Sequence, residues 1–350
     1  MKERFITFGE IMLRLTPPGY EKIRVANSFE ANYGGAEANI ALSLANLGID
    51  SSFFSVVPDN SLGKSAIRML RSNDVYCSPV ILSNEQETPT HRMGVYYLES
   101  GYGIRQSKVT YDRKHSAITE YDFSKVDISS LLKGYTWLHL SGITPALSGS
   151  CADFILELLK EAKQIGLMVS FDGNFRSKLW SWDEARDYCT KCLPYVDVLS
   201  GIEPYHLYCK ENNPYSGDIK DGLPAQPSLK EQDAVFRAFA KRYPNIKYIG
   251  RHVRYVHSGS ENSMKAYLWM NSKTYESDLY TFTILDRVGG GDAFAAGLIY
   301  AIMNGYDPQE TVNFAVASSV IKHTIRGDAN VTDDLDSIRN IMTMSYDIRR

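Results

Sequence analysis

Three consecutive glycines followed by an aspartate are the residues of this 350-residue chain best suited to chemistry. They stand in Ile284-Leu285-Asp286-Arg287-Val288-Gly289-Gly290-Gly291-Asp292-Ala293-Phe294, where a strand-like run meets an apolar helical run. Glycine permits a sharp turn and lets backbone amides approach a ligand. A helix start adds unpaired N–H groups and the positive end of the dipole. Together they can hold an anion, and a carboxylate beside them can accept a proton. The turn lacks the Lys-Ser/Thr of a Walker A loop. It lies near the C-terminus, unlike a dinucleotide-binding turn. A plainer reading stands beside this one: a tight turn with Asp292 as a helix N-cap. A second pair, Gly34-Gly35-Ala36-Glu37-Ala38-Asn39, precedes another helical stripe and offers a hinge and ligand-facing backbone.

Other chemistry-bearing patterns carry less. Cys189 and Cys192 form a C-x-x-C inside a segment that reads as a helix, with no second pair, so they read as core thiols. The seven histidines show no metal-binding spacing. The five cysteines are odd in number and scattered, and no apolar leader opens the chain, so reduced thiols and a cytoplasmic location are expected. No run of about 18 apolar residues predicts a membrane span.

The elements that must position the two turns follow from periodicity. Strands are expected at Phe5–Gly9, Ser52–Val57, Thr136–Leu140, Leu167–Asp172, Val196–Ser200, from Lys247, and at Thr281–Asp286. Helices are expected at Ala36–Leu47, Leu62–Arg71, Asp153–Ile165, Trp182–Leu193, Gln232–Tyr243, Ala293–Met303 and Thr311–Thr324. This alternation predicts an α/β fold: a three-layer α/β/α domain on a mostly parallel sheet, with ligands beyond the carboxyl ends of its strands. Residues 11–33 and 90–121 break the pattern and read as a small β lid, which leaves 1–10, 34–89 and 122–350 as the core. Residues 205–231 read as a polar surface insertion. The basic run Gly250–His257 fits no element. Hydrophobic residues at 44% and charged residues at 23% are ordinary globular usage. The 38 basic and 41 acidic residues leave a net charge of −3, which argues against nucleic-acid backbone binding as the main role.

The pairing of G-G-A-E-A-N-I-A with D-R-V-G-G-G-D-A-F resembles the ribokinase-type (PfkB) carbohydrate kinases, nearly end to end, from Gly9-Glu10-Ile11-Met12-Leu13-Arg14-Leu15 to Arg326-Gly327-Asp328. That opening, Tyr111-Asp112-Arg113-Lys114-His115-Ser116-Ala117 and Phe171-Asp172-Gly173-Asn174-Phe175-Arg176 are most similar to the branch that phosphorylates 2-keto-3-deoxygluconate. The resemblance implies a ribokinase-like fold, ATP as donor and Mg²⁺ bridging phosphates. It implies Asp292 as catalytic base and the amides of Gly289, Gly290 and Gly291 as the anion hole. It puts Gly34, Gly35, Ala36, Glu37, Ala38, Tyr97, Tyr111, Arg113 and Asp328 at the substrate. Asn174, Arg176 and Ser200 would meet the nucleotide phosphates, Ser258, Gly259 and Asn262 the nucleotide, and Glu203 would organise Mg²⁺ indirectly. Ser200 stands where many members have Asn, and Arg287 replaces their usual Thr.

A substrate carboxylate favours an arginine, whose planar fork binds two oxygens at once. Arg92, Arg105 and Arg113 lie among Tyr97, Tyr102 and Tyr111 in the lid segment. The expected reaction is therefore phosphorylation of a sugar acid, 2-keto-3-deoxygluconate to its 6-phosphate. A neutral-sugar kinase such as a fructokinase, or a catalytically silent sugar-binding protein, are the alternatives. An exposed lid sheet invites a partner, so a homodimer through the lid is expected, with no nucleic-acid or membrane partner.

Overall fold

The computed structural model describes residues 3–205 and 226–344. The segment at 205–231 expected as an insertion therefore lies mostly outside the described residues, as does Cys209.

The main sheet has nine strands. Six run parallel in the order β12 (Tyr248–Val256), β11 (Val198–Ser200), β10 (Met168–Asp172), β9 (Trp137–Ser141), β1 (Arg4–Phe8), β4 (Asp50–Phe54). Alternation along β1 shows why the sheet is sandwiched: Phe5 joins the core on one face, Ile6 and Phe8 the core on the other. One face carries α1 (Ala36–Asn46), α2 (Ser61–Arg71), α6 (Gly290–Met303), α7 (Pro308–Lys322) and α8 (Leu335–Met342). The other carries α3 (Gly149–Gln164), α4 (Trp182–Cys192) and α5 (Leu229–Arg242). This is the expected three-layer α/β/α arrangement on a mostly parallel sheet.

The parallel pattern ends at one edge. β12 turns into β13 (Glu261–Met270), which pairs antiparallel with β12, β14 (Lys273–Glu276) and β15 (Tyr280–Thr283). The basic run that fitted no element is thus most of β12. The strand expected at 281–286 stops at Thr283, and residues 284–289 form the approach to the glycine turn.

A separate four-stranded sheet has the order β3-β2-β7-β8, from β2 (Met12–Thr16), β3 (Glu30–Gly34), β7 (Val95–Glu99) and β8 (Lys108–Asp112). It draws its strands from both segments that broke the helical pattern. β5 (Val56–Pro58) and β6 (Ile81–Ser83) form a further two-stranded sheet.

Helix α6 fixes the glycine turn because it is buried almost all round. Its Ala293, Ala295 and Ala296 are small enough for close packing on α7. At Gly297 any Cβ would collide with Ser318 of α7. Helix α7 begins cleanly: Pro308 occupies its first turn, and the Asp307 side chain accepts from the amides of Gln309 and Glu310.

Candidate active site

A cavity of about 740 Å³ lies beyond the carboxyl ends of the parallel strands. Glu10 follows β1, Ile143 follows β9, Asp172 ends β10 with Asn174, Phe175 and Arg176 after it, and Gly201 to Glu203 follow β11; all line it. The small sheet closes one side with Tyr96, Leu98, Val109 and Tyr111.

The glycine turn forms the floor. Gly289 is the N-cap of α6, with φ +81°, the left-handed region that favours glycine. Any Cβ on it would also overlap the Asp328 carbonyl oxygen. No side chain caps the helix, so its first amides remain free for an anion. Asp292 is therefore not the N-cap; it sits inside the first turn, buried, with Oδ2 accepting from Asn39 Nδ2 of α1 at 2.7 Å. Burial raises its pKa, while the Asn39 bond and the charges of Arg176 and Lys322 draw it back. Ser319 Oγ of α7 donates to the Gly290 carbonyl at 2.7 Å, and the His323 ring fills the space a Gly290 Cβ would need.

A network of buried charges ties the small sheet to this floor. Arg14 of β2 donates to Asp286 Oδ2 at 2.6 Å and, more closely still, to Asp328. Burial works against the guanidinium charge, but Asp328 and Asp286 outweigh it and its pKa is raised. Asp286 also accepts from the amides of Val288 (3.2 Å) and Gly327 (3.1 Å), so one carboxylate organises both loops. Tyr96 donates to Asp328, whose pKa burial raises and Arg14 lowers. Gly34 is needed where Asp328 lies against its backbone. At the start of α1, Glu37 Oε1 accepts from Ser141 (2.6 Å) and Thr144 (2.7 Å), and desolvation raises its pKa. Gly9 leaves room for that carboxylate.

On the small-sheet side, Arg113 donates twice to Glu10 Oε2, and Ser116 Oγ donates to Glu10 Oε1 at 2.5 Å. The guanidinium also lies 5.6 Å from the centroid of the Tyr111 ring. Arg113 thus faces the cavity already paired with a buried carboxylate. After β10, Asp172 Oδ1 accepts from the Asn174 amide at 3.0 Å, which holds Asn174 at φ +38° and leads the chain to Arg176. Burial, then the neighbouring Asp292, pushes the Asp172 carboxyl up to about 7, against the pull of Arg176.

The structure brings most of the expected residues to this cavity: Gly34, Gly35, Ala36, Glu37, Tyr111, Arg113, Asn174, Arg176, Glu203, Gly289, Gly290, Gly291, Asp292 and Asp328. Six lie elsewhere or behind the wall. Ala38 is buried in α1, and Ser200 is buried at the end of β11 without lining the cavity. Tyr97 points to the opposite face of the small sheet, beside Lys22 and Arg105, because alternation gives the cavity to Tyr96. The turn at Gly259 docks on the small-sheet side, its amide donating to the Gly103 carbonyl at 2.6 Å, while Ser258 Oγ accepts from the Ser260 amide at 3.1 Å; neither lines the cavity. Asn262 is fully buried in β13.

Several residues of this network and of the cavity wall carried no signal of their own: Arg14 and Asn39, whose partners are 314 and 253 residues away, and Glu10, Asp172 and Tyr96. Arg251, His252 and Arg254 line the far wall from β12. Parity divides them. Arg251 faces α5, donating to Gln232 at 2.7 Å, while the His252 ring lies tilted against Phe294 of α6, centroids 4.9 Å apart. Burial pulls His252 down to about 3, so it is neutral at ordinary pH.

Among the described residues no group of three or more His, Cys, Asp or Glu is arranged to hold a metal. That suits an ion such as Mg²⁺ held by phosphate oxygens, waters and one or two carboxylates. Glu203, close enough to Arg251 to interact with its charge, is the carboxylate offered on this wall. No helix among the described residues is long and apolar enough to cross a membrane.

Comparison with known proteins bears on the family and the fold. The model of the pfkB family carbohydrate kinases matches residues 2–205 and 238–334. The chain is 32% identical over 337 residues to a 2-dehydro-3-deoxygalactonokinase of Haloferax volcanii, covering 95% of each chain. Its structure is similar to that of a 2-dehydro-3-deoxygluconokinase of Thermotoga maritima, with a TM-score of 0.87, 35% identity and coverage of 98% and 99% of the two chains. It also shares its fold with an E. coli protein described as a Ribokinase II and solved in complex with ATP and Mg²⁺, at 20% identity, a TM-score of 0.75 and coverage of 98% and 99%.

Proposed function

The chain belongs to the pfkB family of carbohydrate kinases, and from that premise we propose that it transfers the terminal phosphoryl group of ATP to a hydroxyl of a small sugar acid, 2-dehydro-3-deoxygluconate (2-keto-3-deoxygluconate). The observation that carries this reading is Asp292. It is a buried carboxylate in the first turn of an uncapped helix, held at Oδ2 by Asn39 and facing a cavity of about 740 Å³.

In this reading Asp292 Oδ1 accepts the proton of the substrate hydroxyl as its oxygen bonds to the γ-phosphorus. The bond from that phosphorus to the β–γ bridging oxygen breaks, and ADP leaves with the electron pair. The amides of Gly289, Gly290 and Gly291 face the charge on the transferring group. Mg²⁺, when bound with the nucleotide, adds neutralisation of phosphate charge on the Glu203 side. The small sheet acts as a lid that keeps water from competing as acceptor.

The acid substrate rests on Arg176 and Arg113. The guanidinium of Arg176 donates no hydrogen bond among the described residues, and Arg176 lines the cavity. The bonds of Arg113 to Glu10 use Nε and Nη2, which leaves Nη1 for a substrate oxygen. One observation favours the second reading, a neutral-sugar kinase: Glu10 already neutralises Arg113. A coupled ADP-release assay separates them. Turnover of 2-dehydro-3-deoxygluconate, or of its galacto epimer, and no turnover by Asp292→Asn, is the expected result. Turnover of fructose alone would end the sugar-acid reading, and full activity of Asp292→Asn would end the assignment of the base.

We further propose that two copies associate through the outer face of the small sheet. There Tyr20, Val25, Phe29, Tyr102 and Ile104 are exposed around a groove lined by Ile23 and Tyr97. Light scattering should give twice the chain mass; a monomer at micromolar concentration would refute it.

A further inference from the structure

Lys322, the last residue of α7, has none of its surface exposed. Burying an ammonium group is costly unless polar groups and opposite charge surround it. Its Nζ donates to two backbone carbonyls, that of Asp286 at 3.3 Å and that of Ile325 at 3.4 Å. Asp286 stands three residues before Gly289, and Ile325 three before Asp328. One buried cation therefore sits where two loops depart, one toward the anion-binding turn and one toward the carboxylate that Arg14 and Tyr96 hold. The charged groups acting on it come from three other elements: Asp286 from the loop after β15, Arg14 from β2 and Asp292 from α6. Its neighbour His323 caps the helix; Nδ1 donates to the Ser319 carbonyl at 2.7 Å, but burial pulls the ring down to about 4, so it stays neutral at ordinary pH and adds no charge.

A neutral residue of the same length would fill this space. It would not bind both carbonyls, and it would not bring positive charge to Asp292. We infer that Lys322 is a positioning residue for phosphoryl transfer, a cation built into the chain that fixes both loops through their carbonyls and lends its charge to Asp292. Burial pulls the ammonium down to about 8, so the cation is retained at neutral pH and lost in mildly alkaline solution. The same field acts in reverse on Asp292, whose pKa it lowers, favouring the proton-accepting form.

This inference rests on the reading of Asp292 as the base, and the experiment keeps the two apart. Infrared titration of the Asp292 carboxyl, assigned by its loss in Asp292→Asn, is compared in the wild-type protein and in Lys322→Met. The midpoint should move to higher pH in the variant. With ATP, Mg²⁺ and 2-dehydro-3-deoxygluconate, Lys322→Met should lose about 10²-fold in kcat, the scale of a misplaced catalytic group, with the acid limb moved the same way. In Lys322→Ala, added ammonium or methylammonium should restore part of that loss and leave the wild type unchanged. An unmoved midpoint without ammonium rescue would overturn the inference and leave Lys322 a packing residue. Should both variants fail to fold, Lys322→Arg decides. Its guanidinium does not deprotonate, so the alkaline fall in wild-type kcat near pH 8 should disappear; its persistence overturns the inference. Turnover by Asp292→Asn would end the reading of the base whatever Lys322 does. An inactive Asp292→Asn beside an unaltered Lys322→Met would end this inference alone.

Discussion

Arg113→Ala would ordinarily be read as a test of substrate charge, yet the Glu10 pair makes it first a test of stability. Glu10 is 3% exposed and Arg113 9%. Removing the guanidinium leaves a buried carboxylate whose remaining described bond is from Ser116. Breaking a buried pair from one side costs about 3–5 kcal/mol, so Arg113→Ala should lose about that much in urea unfolding. Glu10→Gln with Arg113→Ala removes the orphaned charge and should recover about half or more of the loss. Binding is read separately in both proteins. If Arg113 also grips a substrate carboxylate, each should raise KM for 2-dehydro-3-deoxygluconate by about tenfold or more, the worth of a charge-assisted bond at about 1.5–3 kcal/mol. Fructose turnover, where measurable, should be unaffected in the double variant. An Arg113→Ala protein within about 0.5 kcal/mol of wild type would refute the energetic reasoning, because only an exposed pair is worth so little. A double variant with wild-type KM for the acid would refute Arg113 as its carboxylate ligand.

Three further outcomes are expected. Asp172 holds its proton in the fold up to about 7 but releases it near 3.9 when unfolded. The folded protein therefore binds more protons across that window, and its stability falls as pH rises through it. The loss is at most about 4 kcal/mol, less because the side chain opens onto the cavity. Asp172→Asn should escape this loss, so its advantage in urea midpoint should be larger at pH 8 than at pH 5; equal advantages would contradict it. Gly289→Ala must adopt φ +81° and meet the Asp328 carbonyl, so it should cost about 1–3 kcal/mol and most of kcat, and a fully active variant would disprove the need for this turn. Tyr96→Phe should slow turnover by loosening Asp328, while Tyr97→Phe should leave kcat and KM unchanged; the reverse ranking would mean that the strand's two faces have been misassigned.

The layered α/β core was legible because periods of 3.6 and 2 residues reflect burial, and both faces of this sheet are buried. The two glycine turns were legible because few other residues tolerate such close backbone approach. The start of β12 was legible from Lys247, but its continuation through the basic run to Val256 was not. Its Arg251, His252 and Arg254 all border the cavity, so the apolar alternation that reveals a strand is missing. The choice between Tyr96 and Tyr97 depends on a register offset of one residue, and two adjacent tyrosines give no hint of which faces inward. Arg14 and Asn39 were invisible as site residues because only the fold brings them to Asp328 and Asp292. The turn at 258–262 is polar and glycine-bearing like a ligand loop, yet its Gly259 amide is spent on a loop of the small sheet.

The three bonds of Arg14 and Asn39 to Asp286, Asp328 and Asp292 span 272, 314 and 253 residues. A ribosome therefore releases nearly the whole polypeptide before any of them can form. Until then an emerging chain carries a guanidinium and an amide awaiting partners not yet synthesised, and it lacks Asp292, the base of the proposed reaction. Competence to transfer phosphate thus arises in one late step, and a prematurely terminated product cannot consume nucleotide. The arrangement also explains in advance how two fragments divided in the 206–225 segment should behave: each inert alone, and active only where they reassociate.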